Sequence, residues 1–147
     1  MDFREDFTGK TALVTGAGSG IGRAVAVALG QAGAEVICVA RTLANIEETA
    51  ETIKTQGGKA YAAVLDVTDP AATARLAEQL DREHERFDIV FLNAGGGTLT
   101  SDIVSSDLER WRYDVEVNMF SVFYGIKYFA PLMQKRGGGK LIFTGSG

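Results

Sequence analysis

The stretch that most constrains the chain is Thr15 to Arg23, which reads Thr-Gly-Ala-Gly-Ser-Gly-Ile-Gly-Arg, with glycines at 16, 18, 20 and 22. An apolar run, Ala12-Leu13-Val14, leads into it, and a run suited to a helix, Ala24 to Leu29, leads out. A strand that turns sharply into a helix needs positive φ, which glycine adopts without steric cost. Missing side chains also let backbone N–H groups come close to a ligand. The helix that follows adds unpaired N–H groups and the positive end of its dipole, a combination that suits phosphate. Spacing narrows the class further. The G-x-G-x-x-G fingerprint fails in both registers, because Ile21 or Arg23 stands where the third glycine belongs. A Walker-type loop fails too, since no Gly-Lys-Ser/Thr follows the glycines. The pattern present is T-G-x-x-x-G-x-G, on Thr15, Gly16, Gly20 and Gly22.

Strand-like and helix-like runs alternate along the rest of the chain, which predicts βαβ units and a parallel sheet. Strands are expected at about 11–15, 36–40, 61–65, 89–92 and 140–144. The first helix spans about 21–32 and stops at Gly33. Thr42 is placed to cap a second helix with Leu43, Ile46, Ala50 and Ile53 on one stripe, ended by Gly57-Gly58. Asp69-Pro70 opens a third, with Leu76 and Leu80 inward and His84 solvated near its charged end. A helical stretch from about Ser106 carries Trp111. The run from Asn118 to Met133 is apolar on more than one face, so burial by more than one neighbour is expected, with Pro131 kinking or tightening its last turn. The fold class predicted is α/β: a doubly wound, Rossmann-type parallel sheet of about five strands in three αβα layers, one unit over residues 1–147.

Composition excludes some partners. Net charge is −4, with both signs interspersed rather than gathered into a basic face, which argues against nucleic acid. No apolar run reaches membrane-spanning length, and the charged start Met1-Asp-Phe-Arg-Glu-Asp lacks the apolar core of a secretory leader. The one cysteine, Cys38, lies in an apolar strand and reads as a buried, inert thiol, so a cytoplasmic location is expected. No metal site is expected.

An α/β sheet of this kind binds ligands at the carboxyl ends of its strands. Thr15-Gly16, Arg41, Asp66, Asn93 and Ser146 all stand at such ends, and five on one edge describe a cofactor crevice. Arg41 is the most informative. An acidic residue after the second strand would hold the ribose 2′-OH of NAD, whereas an Arg nearby accommodates the 2′-phosphate of NADP. Here Ala40 takes the acidic position and Arg41 follows it, which favours NADP over NAD. Ser19 counts the other way: in the short-chain dehydrogenase/reductase family, which these motifs resemble, NADP-preferring members often carry another basic residue at its loop position.

Taken together, these motifs resemble the short-chain dehydrogenase/reductase family along essentially the whole chain. The resemblance implies cofactor contacts from Thr15, Gly16, Gly18, Ser19, Gly20, Ile21, Gly22 and Arg41. It also implies them from Asp66 and Val67 near the adenine, and from Asn93, Ala94 and Gly95. Asn93-Ala94-Gly95 is similar to the family's Asn-Asn-Ala-Gly, with Leu92 replacing the first Asn. Trp111, Asn118, Pro131, Met133 and Gly137-Gly138-Gly139 follow in the family's order. Asn118 would hold a water in a proton relay, and Ser146 would hydrogen-bond the substrate oxygen. The family's general acid/base Tyr, with a Lys four residues later, belongs downstream of Ser146. No Tyr-x-x-x-Lys occurs in these 147 residues, and Tyr124 and Lys127 are three apart and precede the serine. The implied protein is an NADP(H)-dependent oxidoreductase for a small carbonyl or secondary-alcohol substrate. In full-length form it would be a homo-oligomer through the helix around residues 118–133. The chain itself reads as truncated on the C-terminal side and inactive alone. The rival reading is a non-catalytic dinucleotide-binding module or inactive fragment. A methyltransferase of similar strand–helix alternation is disfavoured by Asn118 and Ser146 together.

Overall fold

Five short runs rich in apolar residues become the strands of one sheet. The computed structural model describes residues 6–97 and 102–145. In chain order the elements are β1 (Thr11–Thr15), α1 (Gly20–Gln31), β2 (Glu35–Ala40), α2 (Leu43–Thr55), β3 (Lys59–Val64) and α3 (Pro70–Glu83). Then come β4 (Ile89–Leu92), α4 (Leu108–Val115), a π-helical segment (Glu116–Phe120), α5 (Ser121–Lys135) and β5 (Lys140–Phe143). All strand pairs are parallel, in the order β3-β2-β1-β4-β5. Val14 of β1 sits opposite Cys38 on one side and Phe91 on the other. The chain winds outward from β1 through β2 to β3, then returns to β4 on the other side. That reversal opens a crevice at the carboxyl ends of β1 and β4.

Strand side chains alternate between faces, and the core divides accordingly. Leu13, Ile37, Val39, Val90 and Leu92 pack with Leu76, Leu80, Phe129 and Met133 under α3 and α5. Ala12, Val14, Val36, Cys38 and Ile89 pack with Ala26, Ile46, Ala50 and Ile53 under α1 and α2. Two covered faces explain why β2 is apolar at consecutive positions. Burial pushes the Cys38 thiol up to about 11, so it is a poor nucleophile at neutral pH.

Opposite the crevice, Asp88 ties three strands together. Its backbone N–H donates to Thr11 C=O (3.0 Å), and its own C=O accepts from Lys140 N–H (2.7 Å). Its carboxylate accepts from the Thr11 N–H (3.0 Å), Lys10 Nζ (3.2 Å) and Arg86 (2.9 Å). Burial opposes ionisation there, but hydrogen bonds from Arg86, Thr11 and Lys10 outweigh it and hold the carboxyl at about 2.

Several local expectations change in three dimensions. His84 is not a solvated surface residue. Its side chain is 10% exposed, with Nδ1 3.1 Å from Glu35 and its ring edge-on to Tyr61 and Phe87. Thr42 precedes α2 but makes no side-chain cap, whereas Asp69 accepts from the Ala72 N–H at 2.9 Å as its sequence predicts. The run from Asn118 to Met133 is not buried on several sides. Ser121, Gly125, Phe129, Leu132 and Met133 face inward, while Met119, Phe120, Phe123 and Ile126 are exposed. Pro131 lies inside α5, which continues to Lys135. The departure from α-helical geometry falls earlier, at Glu116–Phe120.

Candidate functional site: a dinucleotide-type crevice

The glycine turn is bolted down on three sides. Ala17 N–H donates to Val39 C=O (3.1 Å), and the buried Thr49 hydroxyl donates to Ala17 C=O (2.9 Å), fixing the turn to β2 and α2. Arg23 donates to Gly18 C=O (2.8 Å) while its guanidinium pairs with Glu48 of α2 (3.1 Å). Arg23 closes the glycine motif in sequence, but its latch to α2 could not be read there, because its partner lies 25 residues away.

Within the turn two glycines do different work. Gly22 is buried, and a Cβ on it would lie 2.1 Å from the Gly16 carbonyl oxygen. It is the contact that lets the helix start pass close against the strand end. Gly20 has φ +52°, and a Cβ there would meet nothing within 4 Å. Its backbone faces the open crevice. Ser19, extended at φ −162°, is the N-cap of α1 without a side-chain cap bond, and no acidic residue occupies the first turn. The first N–H groups of α1 have no intrahelical acceptors by helix geometry, so the turn offers donors and positive potential to an anion. Ile21 is exposed beside them.

Thr15 is buried, and its hydroxyl oxygen accepts from both Asn93 N–H (2.9 Å) and Ala94 N–H (3.0 Å). Two donors use both lone pairs, which welds the end of β4 to β1. The Asn93 side-chain oxygen in turn accepts from the Thr144 hydroxyl after β5 (2.9 Å). Beyond Ala94 and Gly95, Asn118 clamps Gly96. Its Oδ1 accepts from the Gly96 N–H (3.0 Å), and its Nδ2 donates to the C=O of Gly96 and of Asp114. Two carbonyls and one N–H assign the amide orientation without ambiguity. Asn118 lies in the π-helical segment; such segments recur at functional sites. In this structure its amide is engaged in holding the loop after β4.

The crevice has two connected parts. One, of about 370 Å³, is lined by the turn, Asn93 to Gly96, Asn118 and Thr144. The other, of about 180 Å³, runs past Gly18 and Ser19 to Ala40, Arg41, Asp66 and Val67. Asp66 is exposed there, its Oδ1 accepting from Thr68 N–H (3.0 Å) and the Thr68 hydroxyl (2.7 Å). Arg41 Nη1 donates to the Tyr113 phenol oxygen across the mouth of this second part. The structure therefore brings together the predicted residues from Thr15 to Gly22, Arg41, Asp66-Val67, Asn93 to Gly95 and Asn118. Ser146 lies outside the described residues. Tyr113, Asn45 and Val117 also line the crevice. None of them carries a sequence signal, because they come to it from helices through tertiary contact.

Known proteins match this architecture. A family model described as short chain dehydrogenase matches residues 10–147. The chain is 36% identical over 141 residues to a fatty acyl-CoA reductase of Acinetobacter baylyi, covering 95% of this chain and 48% of that protein. A solved short-chain type dehydrogenase/reductase from Mycobacterium marinum superposes with a TM-score of 0.90 at 35% identity, over 96% of this chain and 57% of that one. A metagenomic short-chain oxidoreductase solved in complex with NADP does so with a TM-score of 0.90 at 30% identity, covering 95% and 63%. The chain thus spans between 48% and 63% of the length of these relatives.

Proposed function

Because the chain belongs to the short-chain dehydrogenase family, we propose that residues 1–147 form the nucleotide-binding portion of an NADP(H)-dependent oxidoreductase. Its substrate class is a small carbonyl or secondary alcohol, and its location the cytoplasm. One observation carries the cofactor reading: the crevice joins an anion-suited glycine turn to a second part walled by Ala40 and Arg41, with no acid at the Ala40 position. A carboxylate there would repel a 2′-phosphate, whereas guanidinium binds one bidentately. The open space at Gly20 fits a pyrophosphate approaching backbone N–H groups. The NADP complex of a 30% identical relative supports the same reading.

When bound, the nicotinamide supplies or accepts the hydride. The chain's own residues bind and orient. The turn and the start of α1 hold phosphate, Arg41 the ribose phosphate, and Asp66-Val67 border the adenine end. Thr15, Asn93 and Asn118 keep the loop after β4 in place along the nicotinamide side. Ser146 is assigned to the substrate oxygen and Asn118 to a proton-relay water, both as the family resemblance implies.

Titration of the protein with NADP and with NAD, followed by calorimetry, tests the cofactor assignment. NADP is expected to bind more tightly, and Ala40→Asp with Arg41→Leu to reverse the order. Losing a charge-assisted hydrogen bond costs about 1.5–3 kcal/mol. Equal affinity of the unaltered protein for the two nucleotides overturns the assignment.

The missing Tyr-x-x-x-Lys favours a second reading for the polypeptide by itself, as a binding module without turnover. A placed acid/base contributes about 10²–10⁴-fold, so the 147-residue chain is expected to give no NADPH-dependent reduction with a panel of ketones. Measurable reduction, free of contaminating enzyme, would show that a catalytic acid lies within these residues.

A further inference from the structure

The second part of the crevice contains a residue that no motif marks. Tyr113, half-buried on α4, reaches across to the end of β2, 72 positions away in sequence, and its phenol oxygen accepts from Arg41 Nη1. The guanidinium carbon lies 5.7 Å from the ring centroid. With Nη1 on the hydroxyl, the guanidinium sits off the oxygen end of the ring rather than flat on its face. Both side chains line the same cavity as Ala40 and Asn45.

We propose that Tyr113 is a specificity-determining residue, forming with Arg41 a single two-sided subsite for the phosphate monoester on the nucleotide ribose. The inference rests on the NADP reading above and names a partner for Arg41 that the reading does not require. A phenol oxygen that accepts from Arg41 keeps its own proton to donate, and Arg41 retains its other N–H groups, so the pair presents donors to a phosphate. The carboxylate on the same cavity, Asp66, has one oxygen occupied by Thr68. A free arginine at a strand end would have to be ordered when the phosphate arrives. Tyr113 holds it at the cavity mouth beforehand, which lowers the ordering cost of binding. A neutral ribose hydroxyl gains far less from the ordered guanidinium than an anionic phosphate monoester does, so the effect falls mainly on NADP.

The test uses the protein with Tyr113→Phe, Tyr113→Ala and Arg41→Leu, each titrated with NADP and NAD and each checked for folding by circular dichroism. Tyr113→Phe keeps the ring and removes one hydrogen-bonding group. It is expected to weaken NADP binding about three- to tenfold while changing NAD binding much less. Tyr113→Ala should lose at least as much. Unchanged NADP affinity in Tyr113→Phe overturns the inference, and tighter affinity overturns it as well, because the phenol would then be competing with the phosphate for Arg41. If Arg41→Leu erases the NADP preference and Tyr113→Phe preserves it, the cofactor reading stands and only the role of Tyr113 falls. If the unaltered protein shows no preference for NADP, the cofactor reading fails and this inference with it.

Discussion

At the scale of single residues, the glycine turn separates a structural glycine from one that faces the ligand space. Gly22 touches the Gly16 carbonyl, so any side chain displaces backbone. Gly22→Ala is expected to lose about 1–3 kcal/mol of stability in denaturant titration through overpacking. Gly20 stands at φ +52° with open space beyond it. Every side chain is strained at that φ, Asn least among them, so Gly20→Asn should fold at a cost of about 1 kcal/mol while its side chain obstructs the crevice. A much weakened NADP affinity is the expected result, and wild-type affinity in that variant would remove the turn from the nucleotide site. Thr15 is a second such position. Replacing it with Val strips the shared acceptor from Asn93 and Ala94 N–H, expected to cost about 1–3 kcal/mol. Thr15→Ser keeps the oxygen and should keep most of that stability; equal loss in both variants would mean that the methyl, not the hydroxyl, matters.

At the scale of elements, Asp88 joins the starts of β1, β4 and β5. Its carboxyl is depressed, so the ionised form is the one that stabilises the fold. That contribution is fully present above the ordinary value of 3.8 and is lost as pH falls through about 2. Its side chain is largely enclosed at 15% exposure, and screening of its exposed partners limits the effect to about 1–2 kcal/mol. Asp88→Asn should lower stability by that amount at pH 7, measured by urea unfolding, and flatten the stability profile between pH 4 and pH 2. A variant that tracks the wild type through that window would show that the backbone bonds of Asp88 alone hold the strands.

At the scale of the whole molecule, two apolar surfaces lie side by side in chain order. Phe123 is 58% exposed on the outer stripe of α5, and Phe143 is 56% exposed on the edge strand β5. Exposed apolar side chains together with an unpaired strand edge promote association. The 147-residue polypeptide is expected to self-associate with rising concentration in sedimentation velocity, and Phe123→Glu to shift it toward monomer. A monomeric polypeptide at high concentration would mean that the polar residues around these surfaces shield them adequately.

Strands, helices and the order of the glycine turn are legible in the sequence because they obey local rules. Glycine at 16, 20 and 22, the doubly apolar β2, and Asp69-Pro70 each act on residues a few positions away. Arg41 beside Ala40 is legible for the same reason, since the end of a strand fixes which side chain meets the crevice. What only the tertiary structure decides is long-range partnership. The Thr15 hydroxyl could have met a phosphate or a neighbouring strand, and the β1–β4 register turned its oxygen to Asn93 and Ala94. Asn118 sits in a π-helical turn, which brings its amide onto Gly96. His84 is drawn in against Tyr61 of β3 and Glu35 of β2, elements its own helix does not predict. Tyr113 gained its place when its side chain on α4 reached Arg41, just beyond the end of β2. A periodic pattern states which face of an element is apolar, but polar side chains take their partners from whatever packing of those faces sets opposite them.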